Sequence, residues 1–423
     1  MRGSYNGRAR CGMRILFFSP RDFGPRNTGA HLRDYYLARE LARQDKVSFV
    51  GFRDPLACPS PTPSFGNDQE TEFERTVRLE RGPGYTAGRV LRGFIGPMPV
   101  TVLNYYQAAA ARSLAQMLEE YPPDLVQLEQ IHLAAYLPAL RSTRKRTAVV
   151  CDWHNIESEL MRRYGIHSES WSRRLYAQRT TVLIERLERR MLSECDAHLV
   201  VSERERDRLL QLCPQAQVHV VQNGVDVRQF ASENASNSGA SSAPRRNIVF
   251  VGSMDFHANI DAVEYFTREV WPTVRASLPE LRFMIVGSNP PLSVRELAHV
   301  PGIVVTGTVE DVRPYYRDAL AAVVPIRVGG GTRLKILEAM AAGVPVISTT
   351  IGAEGLLLNP GTDILLADTP EHMVRAVQEL ARSPQMRCQL AAAGRQTVQN
   401  RYDWSAIGSG LRLILRSLCN HEN

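Results

Sequence analysis

Residues 327–349 read RVGGGTRLKILEAMAAGVPVIST: three successive glycines, a run with helical spacing and a β-branched strand. Glycine loses more conformational freedom on folding than any other residue, so Gly329, Gly330 and Gly331 mark a place where backbone must approach something closely. The segment that follows predicts a helix carrying Arg333, Lys335 and Glu338. Thr332 stands near its N-cap, Leu334, Leu337 and Ala341 lie on one face, and Gly343 is the stop. A glycine-rich turn opening a helix presents unpaired N–H groups and the positive end of the dipole, which together suit phosphate. Taken alone, Lys335 and Glu338 read as a solvated helix pair. Beside an anionic ligand with a polar body, Arg333 or Lys335 would meet the charge and Glu338 would accept from a hydroxyl.

The same alternation runs outward through the chain. RILFFSP, VSFVGF, DLVQLEQ, TAVVCDWH, HLVVS and VHVVQNG predict strands in the first half, with helices over 31–43 and 171–194 between them. Residues 231–246, ASENASNSGASSAPRR, are small and polar and predict a flexible linker. After it come NIVFVGS, LRFMIVG, IVVTG, AAVVPI, VPVIST and DILLA. The expected organisation is a domain over 13–230, the linker, a second domain over 247–402, and a C-terminal helix over 403–423 that crosses back to the first domain. Two doubly wound α/β units of this kind bind ligands outside the C-terminal ends of their strands, here at a cleft between them. No G-x-G-x-x-G follows either first strand and no P-loop is present, which disfavours a dehydrogenase or a P-loop ATPase.

A chain of 423 residues with 44% hydrophobic and 22% charged residues is long enough for two real cores. Its net charge of +7 suggests anionic partners. The arginines are scattered rather than gathered in tracts with interleaved aromatics, so no nucleic-acid partner is expected. Seven widely spaced cysteines without a C-x-x-C point to a reducing cytoplasm and away from structural zinc. No apolar run approaches the ~20 residues of a membrane span, so the expected place is the cytoplasm, with peripheral attachment at the inner face of the membrane as the extension.

VGGGTRLKILEAMAAGVPVISTTIGAEGL resembles a C-terminal motif of the retaining nucleotide-sugar glycosyltransferases of glycosyltransferase family 4. VQNGVDVRQF, IVFVGSMDFHANIDAVEYF and SERERDRLL carry the same resemblance, and the nearer likeness is to bacterial sugar transferases of exopolysaccharide clusters. It implies the GT-B arrangement: two Rossmann-like domains facing a central cleft, the nucleotide-sugar donor on the second and the acceptor mainly on the first. It also implies that Glu338 contacts the nucleotide ribose, that Gly330 and Gly331 fall around the diphosphate, and that Gly252 and Ser253 form the turn after the first strand of the donor domain. Many members carry a second glutamate where this chain has Gly330, and the common Arg and Lys pair is replaced by His257 and Asn259 in GSMDFHANID. By charge logic, Arg333 and Lys335 take over the diphosphate.

Charge develops on a departing nucleoside diphosphate and must be met by a metal or by fixed donors and cations. The chain contains no D-x-D, so no metal and no cofactor is expected, with Gly329 to Thr332, Arg333 and Lys335 serving instead. In the first domain, Asn27, Thr28 and Gly29 stand either near the transferring sugar or as a plain turn with a cap. His154, beyond the strand of CDWHN, is a catalytic candidate by its position, and Asn223 with Gly224 reads as a hinge turn. The expected substrates are a nucleotide sugar and a sugar or lipid-linked oligosaccharide acceptor, with an anionic membrane surface as a further partner. A GT-B nucleotide-sugar 2-epimerase and a non-enzymatic nucleotide-sugar-binding scaffold are the alternatives. The long helix over 171–194 predicts an apolar stripe of Leu175, Val182, Leu183, Leu187 and Met191 packed on the first domain, with a solvated basic face.

Overall fold

The computed structural model describes residues 12–22, 29–53, 72–81, 86–142, 147–166, 170–231, 245–328 and 333–420. The chain divides into two units: residues up to Gln222 together with those from Ile407 onward, and Asn223–Ala406. The division at Gln222 falls ahead of the boundary expected at 230, because Val225 N–H donates to Tyr402 O at 2.8 Å and Val225 bridges Asp403. Both contacts hold that segment to the second unit.

The first unit is built on a seven-stranded sheet of β1 (Arg14–Phe18), β2 (Lys46–Arg53), β3 (Arg75–Glu80), β4 (Leu125–Glu129), β5 (Ala148–Asp152), β6 (Ala197–Val200) and β7 (Val218–Val220). The order is β3-β2-β1-β4-β5-β6-β7 and every pairing is parallel. Both β4 and β5 are buried along their whole length, as strands covered on two faces must be. Strand β3 is one that hydropathy passes over: RTVRLE alternates charge with aliphatics and sits at the edge, mostly half-exposed. The helix Trp404–Asn420 closes this unit from Ile407 onward, where Arg412 Nη2 donates to Asp45 Oδ1 at 2.9 Å and Gly408 abuts Glu40.

The second unit holds a six-stranded parallel sheet of β8 (Asn247–Val251), β9 (Arg282–Val286), β10 (Ile303–Gly307), β11 (Ala319–Val324), β12 (Val346–Ser348) and β13 (Leu365–Leu366), in the order β10-β9-β8-β11-β12-β13. Each sheet reverses winding direction beside its first strand, between β1 and β4 and between β8 and β11. That reversal splays the following loops apart, which makes the strand C-terminal ends there the place for a ligand.

One expectation about the helix Trp171–Glu194 is corrected. Leu183, Leu187 and Met191 are buried, but Leu175 and Val182 face solvent. At 3.6 residues per turn the buried face runs through Ala177, Thr180, Ile184 and Leu187, and residues 175 and 182 fall on the far side of it.

Candidate functional site

In the second unit, β8 ends at Val251 and the chain turns through Gly252 and Ser253. A Cβ on Gly252 would lie 2.8 Å from both Lys335 Nζ and Asn259 Nδ2, so any larger residue there must push these two side-chain ends aside. Gly287, just after neighbouring β9, is more tightly constrained, since its Cβ would run into the Gly252 backbone carbonyl. Lys335 Nζ donates to Asn259 Oδ1 at 2.6 Å and lies 4.2 Å from the Phe250 ring centroid. Asn259 Nδ2 in turn donates to Ser253 O at 2.6 Å, so turn, asparagine and lysine form one chain of contacts. Ser253 Oγ donates to Asp255 Oδ2 at 2.9 Å and accepts from Ser288 Oγ at 3.1 Å. Burial, seconded by the charge of Arg333, brings the Lys335 ammonium down to about 7.

The helix carrying Lys335 runs Leu334–Ala341 and stops at Ala342 and Gly343, the latter at φ 71. Glu338 sits on it three residues after Lys335, with Tyr316 Oη at 3.5 Å from its Oε2. Burial raises the Glu338 carboxyl, and Lys335 pulls it back. Arg333 is the cap residue rather than a helical one, at φ −86 and ψ 70, which corrects its placement on the helix. Its guanidinium is buried, which lowers its pKa against the pull of Glu354. Gly329, Gly330, Gly331 and Thr332 lie outside the described residues.

In the first unit, the ends of β4 and β5 carry Gln130 at φ 68 and His154 at φ 49. Left-handed backbone is costly for both residue types, and its presence on adjacent strands indicates that the surroundings hold them there. His154 Nε2 lies 2.7 Å from Glu129 Oε2 and 3.2 Å from Asp34 Oδ1. Gln130 Oε1 is taken by Arg21 Nη2 at 3.2 Å and by His132 Nδ1 at 2.9 Å, which assigns its amide N–H to His154 Nδ1 at 3.2 Å. That partner set fits the neutral ring, with its proton on Nε2 toward the two carboxylates; charging the ring would require Gln130 to turn its Oε1 toward Nδ1. Burial works against charge on His154, but Asp34 outweighs it and raises the ring to about 9. Glu129 is raised to about 8 by burial and by Asp152. Asp34 falls to about 2 because His154 and Arg21 outweigh its own burial. Asp152 is itself engaged by Arg33, Nη2 to Oδ2 at 2.8 Å.

Three groups, Asp34, Glu129 and His154, are near enough to share an ion. At 2.7 and 3.2 Å they already satisfy one another through a proton. Gly29 opens the helix Gly29–Ala42 that carries Asp34, while Asn27 and Thr28 lie outside the described residues. Hydropathy alone passed over Asp34, Glu129, Gln130 and Tyr316. The available signal was Gln127 and Glu129, two polar residues two apart in a strand that is otherwise aliphatic.

The cluster predicts a pH dependence. Raised folded-state values on His154 and Glu129 mean stability fully present below their unfolded values and lost as pH rises through about 8 and 9. The lowered Asp34 contributes above its unfolded value and is lost as pH falls through about 2. The unfolding midpoint should therefore drop between pH 6 and pH 8, above which the lowered Lys335 offsets His154, and Glu129→Gln, which mimics the protonated acid, should flatten that slope. A wild-type midpoint flat across this range contradicts the assignment.

Residues 29–229 match the domain family described as Glycosyltransferase Family 4, and residues 245–383 match the one described as Glycosyl transferases group 1. A GDP-mannose-dependent monoacylated alpha-(1-6)-phosphatidylinositol monomannoside mannosyltransferase of Corynebacterium glutamicum is 29% identical over 219 residues, 46% of this chain and 55% of that protein. The chain spans about half the length of the curated relatives it matches. Among solved structures, sucrose-phosphate synthase from Thermosynechococcus elongatus superposes with a TM-score of 0.69 at 19% identity, covering 97% of this chain and 100% of that one. Anabaena HepE in complex with UDP and glucose gives 0.61 at 14% identity, covering 96% and 100%. Each half of the chain thus matches a glycosyltransferase domain family, and its two Rossmann-like units have the GT-B fold of these solved structures.

Proposed function

We propose that the protein is a retaining, metal-independent transferase that moves a hexose-type sugar from a nucleotide-sugar donor to a hydroxyl acceptor, in polysaccharide or exopolysaccharide assembly. The observation that carries this reading is the Lys335 ammonium packed on the Gly252 turn at the switch point of the second sheet, with Glu338 one turn further along the same helix. HepE is seen with UDP and glucose, and the Corynebacterium relative is named for GDP-mannose, which supports a nucleoside diphosphate sugar as ligand here. Glu338 accepts from the ribose hydroxyls, and Gly252 and Ser253 admit the diphosphate close to backbone. As the sugar–phosphate bond breaks, Lys335, Arg333 and the start of their helix meet the growing negative charge. The departing phosphate oxygen takes the acceptor's hydroxyl proton on the same face, so no carboxylate nucleophile is required. The first unit serves the acceptor side with Gly29 and His154. The acceptor is a sugar or a lipid-linked oligosaccharide, met in the cytoplasm at the inner face of the membrane.

Fixed cations in place of a D-x-D predict that transfer survives chelation. Turnover measured with and without EDTA should agree, and a strict requirement for manganese or magnesium contradicts the metal-independent reading.

The experiment is a thermal-shift panel of UDP- and GDP-sugars followed by acceptor screening. A ligand at a hundred times its dissociation constant stabilises by ~2.7 kcal/mol, enough to see. The product's anomeric configuration, read by NMR, should match the donor's; inversion excludes retention. One observation favours a second reading: a histidine shared between two buried carboxylates also suits a nucleotide-sugar 2-epimerase. Donor epimerised at C2 with no acceptor present selects that alternative, and tight binding without turnover selects the scaffold.

A further inference from the structure

The helix Trp171–Glu194 carries a stripe at residues 171, 175, 179, 182 and 186, spaced by fours and a three and therefore on one face. Its members Trp171, Leu175 and Val182 are 77%, 50% and 42% exposed. Arg179 Nε in the same stripe donates to Phe94 O at 3.2 Å, which fixes the last turn of the helix Ala87–Ile95 against it. On that helix Leu91 and Ile95, one turn apart, are 59% and 69% exposed. The helix Glu157–Ile166 packs on the same partner through Gly165, whose Cβ would come 2.9 Å from Ala177, and it exposes Tyr164 and Ile166. Single exposed aliphatics are ordinary, but a tryptophan, a tyrosine and several aliphatics on three adjoining helices are not.

Charge decides what covers them. Segments 87–95 and 171–182 contain five arginines, Arg89, Arg92, Arg173, Arg174 and Arg179, and no carboxylate. A second copy of the same face would bring these arginines together, whereas an anionic surface would neutralise them. Among the described residues no helix is long and apolar enough to cross a membrane, so these helices would lie in the interface plane. The end of the basic run RSTRKR, residues 143–146, lies outside the described residues.

We propose that this face docks on an anionic phospholipid bilayer, with Trp171, Leu175, Leu91 and Ile95 entering the headgroup region and the exposed Arg92, Arg173 and Arg174 pairing with lipid phosphates. It names the surface for the membrane partner suggested above, yet it stands independently of the transferase reading, since neither donor nor turnover enters the test. The other three tryptophans, Trp153, Trp271 and Trp404, are buried, so a change in emission on adding lipid reports on Trp171. The full chain is titrated with phosphatidylcholine vesicles with and without phosphatidylglycerol at low salt. A blue shift and co-sedimentation are expected with phosphatidylglycerol only, both reversed by salt. Trp171→Phe should abolish the shift and leave sedimentation measurable. Leu91→Ser with Ile95→Ser, or Arg173→Glu with Arg174→Glu, should each weaken binding about tenfold or more. These positions are solvent-facing, and an unchanged unfolding midpoint separates lost docking from lost fold. No shift with anionic vesicles, an equal response to both vesicle types, or a shift that appears on concentrating the protein without lipid would overturn the proposal.

Discussion

Lys335→Ala should lower turnover about 10²–10³-fold while leaving the fold in place, the cost of removing one fixed donor from a developing anion. The ammonium is aimed rather than loose: Asn259 Oδ1 at 2.6 Å and the Phe250 ring at 4.2 Å fix it beside Gly252. Burial and Arg333 bring it to about 7, so part of its charge is withheld until a diphosphate arrives. A cation that gains most when charge is greatest acts on the transition state more than on binding. Gly252→Ala should reproduce part of the defect, because its Cβ would displace Nζ from 2.8 Å. Arg333→Ala should slow the same step. Turnover unchanged in the lysine and arginine variants alike would leave the pair a purely structural role.

Glu338→Ala should weaken nucleotide binding by roughly 1.5–3 kcal/mol, about 10- to 150-fold, the range for a hydrogen bond to a charged group. Stability should change little. The Glu338 carboxyl is raised by burial, so removing it also removes a desolvation cost, and Tyr316 Oη still has Lys335 O at 3.4 Å. Titration calorimetry with UDP and GDP checks this, and a variant that binds like its parent excludes the ribose role.

The strands that are β-branched or aliphatic throughout were legible from hydropathy, because a parallel sheet buries both faces and writes an unbroken apolar run. Strand β3 was not, since an edge strand such as RTVRLE satisfies solvent on one side and looks like a loop. Arg333 and Lys335 were legible as a pair of cations at the start of a helix after the glycines, although Arg333 proved to precede that helix. The Asp34, Glu129 and His154 cluster was legible only in its histidine. Its members are 120 residues apart along the chain at the extremes, and only the placement of β4, β5 and the helix Gly29–Ala42 brings them together. Leu175 and Val182 were misread because a purely apolar pattern does not distinguish a side chain that meets a core from one that meets another surface.

Lys335 at about 7 is mostly uncharged at pH 8, and a bound diphosphate should restore its proton. Calorimetric titration of UDP and GDP at pH 8, in two buffers of different ionisation enthalpy, therefore tests the donor site most directly. The expected result is that at least one nucleotide binds with uptake of a fraction of a proton approaching one, and that Lys335→Ala weakens binding and abolishes the uptake. Binding of neither nucleotide, or binding with no proton uptake and no response to Lys335→Ala, would contradict a donor site built on Lys335.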